Sequence, residues 1–124
     1  MSILFSEMTR DEITEVAPQA VAVLPTAATE QHGPHMAVGT DIILCENVAR
    51  RAAERVAERT PVIVAPILPF GSSWHHYPFG GTISLTSPTW QSLGHSARHE
   101  KLALDSPCHH PHKGLLSIIC PHEE

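Results

Sequence analysis

Between residues 30 and 41 the chain reads Glu-Gln-His-Gly-Pro-His, then Met-Ala-Val, then Gly-Thr-Asp, which puts Glu30, His32 and Asp41 on one short segment. Two carboxylates and an imidazole, with no thiolate among them, suit a catalytic divalent ion such as zinc or manganese, because closed structural zinc sites favour cysteine. The chemistry such a set points to is hydrolytic, and a carboxylate can also bridge two ions. Pro34 disfavours the helical region for Gly33, so His32 and His35 are not neighbours on a helix and the motif must be a loop. The plainer alternative is that Asp41 only caps the helix that follows, worth about 1 kcal/mol, and that Glu30 and His32 are ordinary polar loop groups.

A second cluster, Ser73-Trp74-His75-His76-Tyr77 with the pair Gly80-Gly81, could shape a pocket for a small planar amide, His76 acting as a proton carrier. Its alternative is a packed aromatic loop with solvent-facing imidazoles. A third group, Cys108, His109, His110, His112, Cys120 and His122, matches no paired-cysteine zinc spacing. It reads as chance enrichment, and a small metal-binding module built on it is a competing hypothesis.

The elements that must position the first motif are legible around it. The run Ala20-Val21-Ala22-Val23-Leu24 lies between Pro18 and Pro25 and suits a strand buried on both faces, as in a parallel sheet. Residues 41–59 carry Ile42, Cys45, Val48, Ala49, Ala52, Ala53 and Val56 at three- and four-residue steps, with charged residues between them, which predicts an amphipathic helix capped by Asp41 or Thr40. Pro61 ends it, and Val62-Ile63-Val64-Ala65 is a second buried strand, so the segment is a βαβ unit. In an open α/β sheet, ligands bind in the loops beyond the carboxyl ends of strands, which is where Glu30, His32 and Asp41 would converge. A short acidic helix is predicted over 6–17. Residues 69–81 read as an irregular loop, Thr82–Leu85 as extended chain, and a further helix starts with Ser87 as cap and Pro88 at its first position, continuing to Leu93.

Composition bounds the function. A chain of 124 residues is one domain by length and can bury roughly two-thirds of its unfolded surface. A formal net charge of -5 argues against nucleic acid as the main partner, and no stretch approaches the ~20 apolar residues of a membrane span. Three cysteines of irregular spacing argue against a disulfide framework and, with no signal-peptide pattern at the amino terminus, lead to a cytoplasmic expectation.

The segment Leu24-Pro25-Thr26-Ala27-Ala28-Thr29-Glu30-Gln31-His32-Gly33-Pro34-His35 with Gly39-Thr40-Asp41 resembles the creatininase (creatinine amidohydrolase) family, whose E-Q-H-G-P-H core is unusually specific. The resemblance continues through Pro66–His76, like the family's Y-G-x-S-x-x-H segment, and through Phe79–Leu85, like F-P-G-T-I-S, with Gly80 in place of the usual proline. It implies a partial three-layer α/β/α domain with a mostly parallel sheet, the N-terminal portion of a creatininase-like fold, over residues 1–93. It further implies metal-dependent hydrolysis of a small, in some members cyclic, amide by two divalent ions. Glu30 and His32 would hold one ion each and Asp41 would bridge them, in a homo-oligomer. Residues 94–124 diverge from the family, lacking its N-G-H segment, and His122-Glu123-Glu124 offers only an accidental imitation of it. A frameshift or truncation after Leu93 is the expectation, with weak metal affinity and little turnover. The alternative is a non-catalytic fragment with exposed sheet edges and apolar surface that associates.

Overall fold

A computed structural model of the chain describes residues 2–99. Its first helix, α1 (Arg10–Val16), starts later than the sequence suggests. The Thr9 side chain accepts from the Glu12 N–H, and the Glu12 carboxylate accepts from the Thr9 N–H at 2.7 Å. This capping box satisfies two backbone donors at once, so it fixes the helix start at Thr9, and Phe5–Glu7 form a separate 3-10 turn.

Strands β1 (Val21–Val23) and β2 (Val62–Val64) pair in parallel, Val21 opposite Val62 and Val23 opposite Val64. Between them runs α2 (Thr40–Val56), so the expected βαβ unit is present, and Leu4 bridges Val64 on the other side of β2. Pairing resumes past the strands at Thr26 and Leu68. There the register has shifted by one residue, because Pro25 and Pro66 interrupt the ladder and proline has no N–H to donate.

The core joins Val23, Val62 and Val64 of the strands to Ala49 and Ala53 of α2, with Ile3 and Leu4 packed against them. Along α2 only Cys45, Ala49 and Ala53 are buried. The broad apolar face expected from the sequence is therefore narrower, and Val48, placed in it by periodicity, is 55% exposed beside Ile43 and Leu44. Small side chains at four-residue steps let the helix lie close to the sheet, and nothing among the described residues covers its flank.

The aromatic segment is not wholly irregular: Trp74–Phe79 form a 3-10 helix containing Pro78. Thr82–Leu85 form no strand; Ile83 bridges Thr29 and Ser84 bridges Gly71. The last helix, α3, spans Ser87–His99 and runs through Gly94 instead of stopping at Leu93. Its cap is Thr86, one residue earlier than expected, whose hydroxyl accepts from the Thr89 N–H, while the Ser87 hydroxyl pairs with that of Ser72.

Candidate metal centre

Glu30 lies seven residues past the end of β1, on the chain that continues through the bridges at Thr26 and Thr29. Its N–H donates to the Val38 carbonyl at 3.2 Å, which folds residues 30–38 into a closed loop. The loop turns at Gly33, whose φ of +72° is the left-handed conformation that glycine adopts without a side-chain penalty. The segment around residue 82 straps the loop down. The Ile83 N–H donates to the Thr29 carbonyl at 2.9 Å and the Gln31 N–H to the Thr82 hydroxyl at 3.2 Å.

Asp41 does not cap α2. The N-cap is Gly39, with no side-chain bond, and the Thr40 hydroxyl turns back to the Ala37 carbonyl. The Asp41 carboxylate, in the first turn, is left to face His32. The plainer reading of Asp41 therefore fails on geometry.

His32 holds the centre of the group. Its Nδ1–H donates to the Glu30 carbonyl at 2.9 Å, and its Nε2 stands 3.1 Å from Asp41 Oδ1. The bond to the Glu30 carbonyl raises the pKa of His32 above the ordinary imidazole value; partial burial opposes this, and the charges of Asp41 and Glu30 add to it. Glu30 is 6% exposed, and its Oε2 has no hydrogen-bond partner. One donor atom each from Glu30, His32 and Asp41 lies within 4.8 Å of the other two, the only group of three or more such residues among the described ones.

These residues fit a divalent cation. A buried carboxylate oxygen without a partner is costly unless a charge meets it. A neutral His32 with Nδ1–H committed to a carbonyl turns a bare lone pair on the Asp41 carboxylate, a repulsion that a proton or a metal ion between them relieves. A carbonyl holding Nδ1–H is also the usual support of a histidine that ligates through Nε2.

Of the other predicted residues, His76 joins the site. Its Nε2 lies 3.5 Å from Glu30 Oε1, and its Nδ1 pairs with Gln31 Nε2 at 2.8 Å. The rings around it do not pack as a core: Trp74 stacks on Tyr77, yet both are about half exposed and Phe79 is 73% exposed. His35 is exposed and outside the group. The Cys/His cluster from Cys108 to His122 lies outside the described residues. Gln31 went unnoticed in the sequence because an amide is no metal donor of choice; its place between two predicted ligands was the available signal. A cavity of about 270 Å³ lies elsewhere, between Pro25, Val64, Ile67 and Arg50, and none of the site residues lines it.

The fold and site define an α/β protein with a carboxylate–imidazole group, a candidate cation site, beyond the carboxyl end of a parallel strand. The creatininase family model, described as creatinine amidohydrolase, matches residues 6–99, and the chain belongs to that family. Among curated relatives, the mycofactocin precursor peptide peptidase of Mycobacterium tuberculosis (strain CDC 1551 / Oshkosh) is 36% identical over 83 residues, 62% of this chain and 32% of that protein. The creatinine amidohydrolase of Pseudomonas putida is 34% identical over 97 residues, 71% of this chain and 35% of that protein. A solved manganese creatininase superposes with a TM-score of 0.66 at 31% identity, covering 81% of this chain and 42% of that one. Mutant creatininases of Zn-Zn type and in complex with creatine each match with a TM-score of 0.65 at 32% identity over the same shares of the two chains. The chain thus spans about a third of the length of these curated relatives.

Proposed function

We propose that the chain carries the cation-binding part of a metal-dependent amidohydrolase, with Glu30, His32 and Asp41 as ligands of two zinc or manganese ions and a small, possibly cyclic amide as substrate. The observation that carries this is the approach of His32 Nε2 to Asp41 Oδ1 at 3.1 Å while Nδ1 is already engaged. When bound, divalent ions supply Lewis acidity toward an amide carbonyl and toward the attacking water.

The chain's own residues do the rest. The Glu30 carbonyl orients the His32 ring, and Asp41, with two oxygens, can serve both ions. Glu30 Oε2 is shielded from water, and His76 Nε2, 3.5 Å from Glu30 Oε1, is placed to pass a proton to a departing nitrogen. Among the described residues three donors would have to serve two ions, fewer than the three protein ligands usual for each catalytic zinc, so weak retention and slow turnover are expected.

Metal content after equilibration with zinc or manganese tests the proposal. The parent should bind metal, if weakly, and Asp41→Ala should bind markedly less; equal content in both overturns it. Exposed Ile43, Leu44 and Val48 favour a second feature, self-association through the flank of α2.

A further inference from the structure

Gln31 sits between the two ligands Glu30 and His32, and its side chain spans two loops. Its Oε1 accepts the Gly33 N–H at 2.8 Å, and its Nε2 meets His76 Nδ1 at 2.8 Å. The Gly33 amide is a donor only, so the carbonyl end of Gln31 must face it. The NH2 end must then face His76, and since that group only donates, His76 Nδ1 must accept. A neutral imidazole that accepts at Nδ1 carries its proton at Nε2. That proton points at Glu30 Oε1, 3.5 Å away.

We infer that Gln31 is a positioning residue that fixes the tautomer of His76, making His76 an Nε2–H donor toward Glu30 and not a metal ligand. With Oε1 facing this donor, Oε2 of Glu30, the oxygen without a partner, is the atom left for a cation. The turn at Gly33 is thereby coupled to the ring: the backbone N–H that sets the Gln31 amide belongs to the same tight turn that carries His32. The inference deepens the reading of the same site, but its test uses neither metal nor activity.

The measurement is the pair of ring-nitrogen shifts of His76 in the metal-free, 15N-labelled chain, taken about two pH units above the free-imidazole pKa of ~6.5 and assigned by comparison with His76→Gln. The parent should show a bare Nδ1 and a protonated Nε2. In Gln31→Glu a carboxylate faces Nδ1, accepts from it, and should switch the proton to Nδ1. Gln31→Met, of similar length with neither group, should give a mixture of tautomers, and it serves if the glutamate variant does not fold. A parent ring protonated on Nδ1 overturns the inference, as does an unchanged tautomer in either variant. Loss of metal binding with the tautomer intact would count against the proposed function alone.

Discussion

The imidazole of His32 and the carboxylate of Asp41 face each other, Nε2 to Oδ1, at 3.1 Å, across the gap between a strand-end loop and the first turn of α2. Asp41 is free for this because Gly39 and Thr40 leave its carboxylate out of the capping of the helix.

Asp41→Ala should lower zinc or manganese affinity by more than roughly 100-fold, since outer-shell partners of a metal site alone are commonly worth 10–100-fold. Isothermal titration of parent and variant measures this. In the metal-free chain the same change should cost no more than about 1 kcal/mol, because the pair is partly exposed, 19% for His32 and 29% for Asp41.

The raised pKa of His32 gives the pH dependence a definite sign. The folded state favours the imidazolium, so this interaction stabilises the metal-free fold fully below the free value of ~6.5 and is lost as pH rises through the higher folded value. Metal binding runs the other way, because proton and cation compete for Nε2. Apparent affinity should climb with pH with a midpoint above ~6.5, one proton being released per His32 engaged; a midpoint at or below that value contradicts the assignment.

Ala49 is fully buried where α2 meets the strands. Ala49→Leu should destabilise by about 1–3 kcal/mol through overpacking, read as a shift of the denaturant midpoint with unchanged slope. Val48→Leu, on the exposed flank, should leave that midpoint within about 0.5 kcal/mol of the parent.

Leu44 and Val48 are 58% and 55% exposed, beside Ile43 at 57%. Leu44→Lys with Val48→Lys should abolish concentration-dependent association in sedimentation. A parent that is monomeric at all concentrations would remove the case for assembly through this face.

Gly80 stands where the family's motif has proline, and the structure gives the physical reason that proline does not suit this chain. Its φ of +71° with ψ of 177° lies in a region essentially confined to glycine, while proline is locked near −65°. Gly80→Pro should therefore displace the 3-10 segment from Gln31, lowering thermal stability and releasing His76 from a single tautomer.

Much of this was legible in the residues themselves. The prolines around each apolar run marked the two strands, and the period of 41–59 marked α2 to within a few residues. The motif supplied three candidate donors, Glu30, His32 and Asp41, and the fold brings one atom of each within 4.8 Å of the others. What periodicity misjudged was the width of the buried face: Val48 repeats with Ala49 in sequence, yet only the stripe at Cys45, Ala49 and Ala53 touches the strands. Helix starts were misplaced where side-chain caps were missed, at Thr86 in place of Ser87 and at the Thr9 capping box in place of residue 6. The place of Gln31 in the motif was visible, but its role was not, because that depends on His76, a residue that only the tertiary fold brings within 2.8 Å.

The closed loop between Glu30 and Val38 has a kinetic side. All three donors lie between residues 30 and 41, so bringing them together closes a short length of chain at small entropic cost. The contact of Gln31 with His76 spans 45 positions and must wait for the second loop to arrive. A cation present during folding would thus be seized first by the strand–loop–helix segment, acting as a nucleus, and the partner histidine would dock afterwards onto a centre already assembled.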